Sequence, residues 1–266
     1  MKHRQIPETE AAFAGFALDP PQSSPAPKVH ITTSVMLWTL KGTFEEKLEA
    51  SARAGLQSVE LVGEYAPWTD ADIARIKKTT RSLGLGTDTL LATPDWSKRP
   101  VSMVDPAQRD NFLADVRSAI VFAHKLEIPQ IILMSGNAIP GRSHEEQYAS
   151  LLEGIKRAGD LAAQSELTMI VEPLNSVVNH RRFFLNNCAE GLRLVREVDN
   201  PHVKLLFDIY HEQVQQGNVI PTLAEAAPTW RCFMSRTTPG ATIPALARST
   251  IRVFIKSFRK LASAAI

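Results

Sequence analysis

The chain has 266 residues, 44% hydrophobic and 22% charged, enough for one large domain with a full core; a (β/α)8 barrel needs about 250. A formal net charge of +2 carries no electrostatic footprint for nucleic acid or an anionic membrane, while a pI near 8.6 is compatible with an acidic small molecule. Cys188 and Cys232 lack disulfide or metal spacing and read as free thiols of a reducing cytoplasm. No apolar run approaches the roughly 18 residues that cross a bilayer. Glu8, Glu10 and Pro20-Pro21 make the N-terminus a poor signal peptide, so a cytoplasmic protein is expected.

Residues 1–28 end in a Pro/Ser-rich stretch that holds neither helix nor ladder, and read as a tail or linker. From Val29 onward, short β-branched runs alternate with longer segments of helical period, the signature of βα units around a parallel sheet. The strands are expected at Ile31 to Leu37, Ser58 to Val62, Gly86 to Leu91, Gln130 to Met134, Thr168 to Glu172 and Lys204 to Asp208. Helices are expected near Phe44 to Ala54, Asp70 to Leu83, Asp105 to Leu126, Glu145 to Gln164 and Cys188 to Val198. Thr43, Thr69 and Asp105 are candidate N-caps. Six units fit a doubly wound sheet as well as a barrel, and no G-x-G-x-x-G follows the first strand to mark a dinucleotide site.

In such folds reactive groups sit at the C-terminal ends of strands. Thr168 to Glu172 runs into Pro173-Leu174-Asn175, and Leu205-Leu206-Phe207-Asp208 runs into Ile209-Tyr210-His211. Neighbouring strands lie about 4.8 Å apart, so Glu172 and Asp208 can converge on one hard divalent cation. A single carboxylate ending a buried strand more often caps the next helix or makes a salt bridge; two at successive mouths, with His211 three residues on, favour a site. Trp38, Glu60, Asn137 and Arg142 are further candidates for lining it, with a half-buried structural role an equal alternative for Glu60, and Asp95-Trp96 for an aromatic lid.

Ser34-Val35-Met36-Leu37-Trp38, Ile132 to Asn137, Val171-Glu172-Pro173-Leu174-Asn175 and Phe207-Asp208-Ile209-Tyr210-His211 come in an order that resembles the hydroxypyruvate isomerase branch of the xylose isomerase-like sugar isomerase/epimerase barrels. The resemblance runs from about Val29 to Pro228 and implies a (β/α)8 TIM barrel. It further implies Glu172 as a metal ligand and one of a pair of proton-exchanging glutamates, Asp208 as a second ligand, and His211 as the histidine that hydrogen-bonds a substrate oxygen. The implied cofactor is Mg2+ or Mn2+ and the implied partner a small hydroxy-keto acid or sugar, with a homo-oligomer left open. The reaction would interconvert hydroxypyruvate and tartronate semialdehyde through an enediol. A ketose 3-epimerase of the same barrel, an endonuclease-IV-like protein and a non-catalytic remnant are the competing readings; seven scattered histidines and near-neutral charge weigh against the endonuclease.

After Pro228 the family pattern stops, leaving a barrel domain of 29–230 with six units and a non-family basic segment, 231–266. That segment has arginines and lysines but no acidic residue. Its codons, read from the third base of the Arg231 codon, can be reread as the V-F-H-V-A of the family's seventh strand. The inference is one lost nucleotide just before Arg231, a barrel incomplete or irregular in its last two units, and impaired activity for want of the remaining ligands and the second glutamate. Met234 then stands near the third ligand's place, and Pro244 to Ala265 is expected to form a basic helix over the gap.

Overall fold

The computed structural model describes residues 32–96, 101–226 and, in backbone, 230–234. The tail and the basic helix expected from the sequence fall outside them. Strands β1 (Ser34–Met36), β2 (Ser58–Leu61), β3 (Gly86–Leu91), β4 (Gln130–Met134), β5 (Thr168–Glu172), β6 (Val203–Asp208) and β7 (Trp230–Met234) form one sheet in sequence order, every pairing parallel. Helices α1 (Phe44–Arg53), α2 (Asp70–Ser82), α3 (Arg109–Leu126), α4 (His144–Gln164) and α5 (Cys188–Val198) follow β1 to β5 in turn, and two short helices, α6 (Ile209–Gln215) and α7 (Val219–Ala226), separate β6 from β7. Sequential parallel order with a helix after each strand is the (β/α)-barrel arrangement and removes the doubly wound alternative, whose strand order reverses at a switch point. Among the described residues the barrel is open between β7 and β1.

Local chemistry places the helix starts. Thr43 and Thr69 each close a full capping box, with Glu46 and Asp72, and Asp105 accepts from the Ala107 amide to open a 3-10 turn (Pro106–Gln108) before α3. Ser143 does the same for α4, and Asn187 caps α5. Alternate residues of the strands divide between two cores. Outward residues such as Leu90, Ile131, Leu133, Val171 and Phe207 pack with the helices. Inward, Leu91, Ile132, Ile170 and Leu206, one from each of β3 to β6, make an apolar layer against which Met36, Val62, Trp96 and Met134 pack.

The seventh strand differs from the sequence-based expectation of six units. Trp230 to Met234 pairs along β6, with Asp208 opposite Met234. A short run of residues with β-propensity is enough to occupy the hydrogen-bonding edge that β6 presents, whatever its ancestry. No helix among the described residues is long and apolar enough to cross a membrane.

Candidate metal and proton-transfer site

Glu172 and Asp208 lie two residues beyond Ile170 and Leu206, so the two-residue period of a strand turns both carboxylates inward, onto the apolar layer at the C-terminal mouth. Both are buried, 8% and 2% exposed, as is His211 at 3%. One ligand atom from each of the three lies within 4.8 Å of the others. Two acids this close repel; a divalent cation turns that repulsion into attraction, and carboxylate oxygens are the donors a hard cation takes.

Asp208 has two roles. Its Oδ1 accepts from the amides of Tyr210 (2.7 Å) and His211 (3.2 Å), capping α6. Its Oδ2 faces His211 Nε2 at 3.9 Å, too far for a hydrogen bond and wide enough for an intervening atom.

The tautomer of His211 follows from Asn175. The Asn175 side-chain oxygen accepts from the amides of Val178 and Asn179, at 3.1 and 3.2 Å. This fixes its amide nitrogen as the group 2.6 Å from His211 Nδ1, and the Asn175 backbone N–H also donates to Nδ1, at 3.1 Å. With donors on Nδ1, neutral His211 carries its proton on Nε2. That nitrogen is a hydrogen-bond donor facing the carboxylates rather than a third ligand, so the oxygens of Glu172 and Asp208 are the atoms that fit a cation.

The loops are braced around this arrangement. Asn179 Oδ1 accepts from Asn175 and from the Tyr210 hydroxyl, and Gln215 Oε1 accepts from the Ser176 amide. Glu212, 1% exposed, accepts from the Cys188 amide and so joins α6 to the start of α5. Burial first, then Glu212, Asp208 and Glu172, hold the Cys188 thiol far above the usual thiol range, which makes it an inert packing group. At the β4 mouth, Gly136 has φ +82°, and a Cβ there would stand 2.7 Å from the Ser102 backbone. Gly136→Ala should therefore destabilise the fold by about 2–4 kcal/mol in urea unfolding; an unchanged midpoint would mean this crossing is loose.

The other candidates separate. Asn137 lines a pocket with Thr93, Trp96, Met134, Gly136 and Phe183, where Trp96 also meets the His180 ring at 5.7 Å. Trp38 stands on the rim, 47% exposed, in the 3-10 turn after β1. Glu60 is buried, two residues before Val62, and its register partners are Met36, which packs on the apolar layer, and Thr89. Arg142 is joined to Asp105 at 3.2 Å, tying the β4–α4 loop to the start of α3. Sequence reasoning missed the positioning parts played by Asn175 and Glu212. E-P-L-N was a signal for the first; nothing in the local pattern marks the second.

The family described as xylose isomerase-like TIM barrel matches residues 48–233. The chain belongs to that family. Among curated relatives it is 28% identical over 188 residues to the hydroxypyruvate isomerase of Escherichia coli (69% of this chain, 70% of that one). It is 24% identical over 181 residues to the 2-oxo-tetronate isomerase of Pectobacterium atrosepticum (66% of each). The crystal structure of an AP endonuclease, family 2, from Brucella melitensis superposes with a TM-score of 0.76 at 21% identity, over 87% of this chain and 89% of that one; at that identity the likeness speaks for the fold.

Proposed function

We propose that this chain is built as a divalent-cation-assisted isomerase of a small hydroxy-keto acid, interconverting hydroxypyruvate and tartronate semialdehyde. The observation that carries the reading is the convergence of Glu172, Asp208 and the Nε2–H of His211 at one buried mouth. Relatives named for hydroxypyruvate and 2-oxo-tetronate support the substrate class.

A cation such as Mg2+ or Mn2+, held by oxygens of Glu172 and Asp208, would supply Lewis-acid polarisation of the substrate carbonyl. The chain's own residues do the rest. His211 Nε2–H donates to a substrate oxygen and stabilises the charge that develops on it. Glu172, two residues beyond the apolar layer, accepts a proton from the carbon beside the carbonyl. Isomerisation returns a proton to the neighbouring carbon, and a second base on the opposite face would complete the exchange. The family supplies that base from its eighth strand, and this sequence departs from the family pattern before reaching it.

The test is hydroxypyruvate isomerisation with Mg2+ or Mn2+, in this chain and in a version with one nucleotide restored before the Arg231 codon. Strong turnover only in the restored version is expected. Turnover of a ketohexose but not of hydroxypyruvate in the restored version would replace this reading with an epimerase.

A further inference from the structure

The β5–α5 loop carries a tight turn beside the site. The Phe183 amide donates to the His180 carbonyl at 2.7 Å, which leaves Arg181 and Arg182 as the turn's two central residues. Both flanks of the turn belong to the site's surroundings. The His180 ring lies 5.5 Å from that of His211 and 5.7 Å from that of Trp96, and Phe183 lines the pocket with Asn137. The turn is pinned to the β4 loop by the Ala138 amide donating to the Arg182 carbonyl at 2.7 Å, and by the bridge between Asn137 and Phe183.

Both arginines are exposed. Arg53, Arg81, Arg157, Arg193 and Arg196 each hold a carboxylate within 4.0 Å; among the described residues, Arg181 and Arg182 hold none. Two guanidiniums in one anchored turn repel each other, and an anion bound between them relieves that repulsion. Guanidinium forks match the paired oxygens of a carboxylate or phosphate. Their field also attracts anions to a mouth whose own carboxylates would repel them.

We propose that Arg181 and Arg182 bind the anionic group of an acyclic substrate whose carbonyl end meets Glu172, Asp208 and His211. This rests on the isomerase reading above and makes acids or phosphates, not neutral sugars, the ligand class. Binding of D-glycerate, dihydroxyacetone phosphate and neutral dihydroxyacetone to the full chain in excess Mg2+ tests it, comparing the wild type with R181A/R182A and R181K/R182K.

The double alanine variant should lose about tenfold in affinity for an anion and none for dihydroxyacetone, with part of the loss recovered by lysine. Raising the salt to about 1 M should weaken anion binding in the wild type, because the screening length falls to about 3 Å. Preference for glycerate over the phosphate ester, or the reverse, identifies the anion and supports the proposal either way. Equal wild-type affinity for neutral and anionic probes overturns it while leaving the isomerase reading standing. So does an alanine variant that keeps its anion affinity, or one that loses both ligands alike. Absence of binding by any probe, both in this chain and in the version with the nucleotide restored, overturns both.

Discussion

Asp208→Asn should lower Mn2+ affinity by at least about 100-fold, a loss on the scale of removing a metal-site partner or more, and leave the metal-free fold as stable as before. Asparagine keeps an oxygen for the Tyr210 and His211 amides, and it is as good an N-cap as aspartate. What it removes is the charge beside Glu172. Asp208→Ala removes charge and cap together, and should cost a further 1–2 kcal/mol or so of stability on top of the lost binding. Calorimetric titration with Mn2+ and urea unfolding of both variants separate the two roles. Mn2+ should also raise the unfolding temperature of the wild type and not of Asp208→Asn, since a ligand stabilises only the state that binds it. Equal Mn2+ affinity in wild type and Asp208→Asn would remove Asp208 from the ligand set.

Asn175→Ala should destabilise the fold by about 3 kcal/mol, roughly 6–12 °C in unfolding temperature for a domain of this size. Asn175 is fully buried, and its side chain accepts from two amides and meets Asn179 Oδ1 and His211 Nδ1. Val178 and Asn179 are exposed, so water replaces part of what is lost there; the His211 side of the network has no such recourse. Nitrogen-15 spectra of the wild-type imidazole near neutral pH should show a proton on Nε2 of His211 and a bare Nδ1. A proton on Nδ1 would instead make His211 Nε2 a ligand atom, and the division of labour between histidine and carboxylates would be wrong.

Much of the site's plan was legible before the fold was known. Glu172 and Asp208 stand at strand ends because β-branched and apolar runs stop there, and a strand's period of two gives both the same inward face. Thr43 and Thr69 announce helix starts through bonds that span only three residues. These features depend on neighbours in sequence, which is why local reading found them. The part of Glu60 could not be found that way. Its cross-strand partners, Met36 and Thr89, depend on a register that shifts between Val59 and Glu60 on the β3 side, and register is decided by contacts between strands.

The sequence by itself determined the alternation of strands and helices, the caps, and which acids end the fifth and sixth strands. Only the tertiary structure decided that Asn175 sets the tautomer of His211, that Arg142 is engaged by Asp105, and that Trp230–Met234 extends the sheet. The physical reason is range. Propensity, capping and face alternation act over a few residues, whereas a bond between positions 175 and 211, or a strand's choice of open edge, exists only once the chain has closed the loops between them.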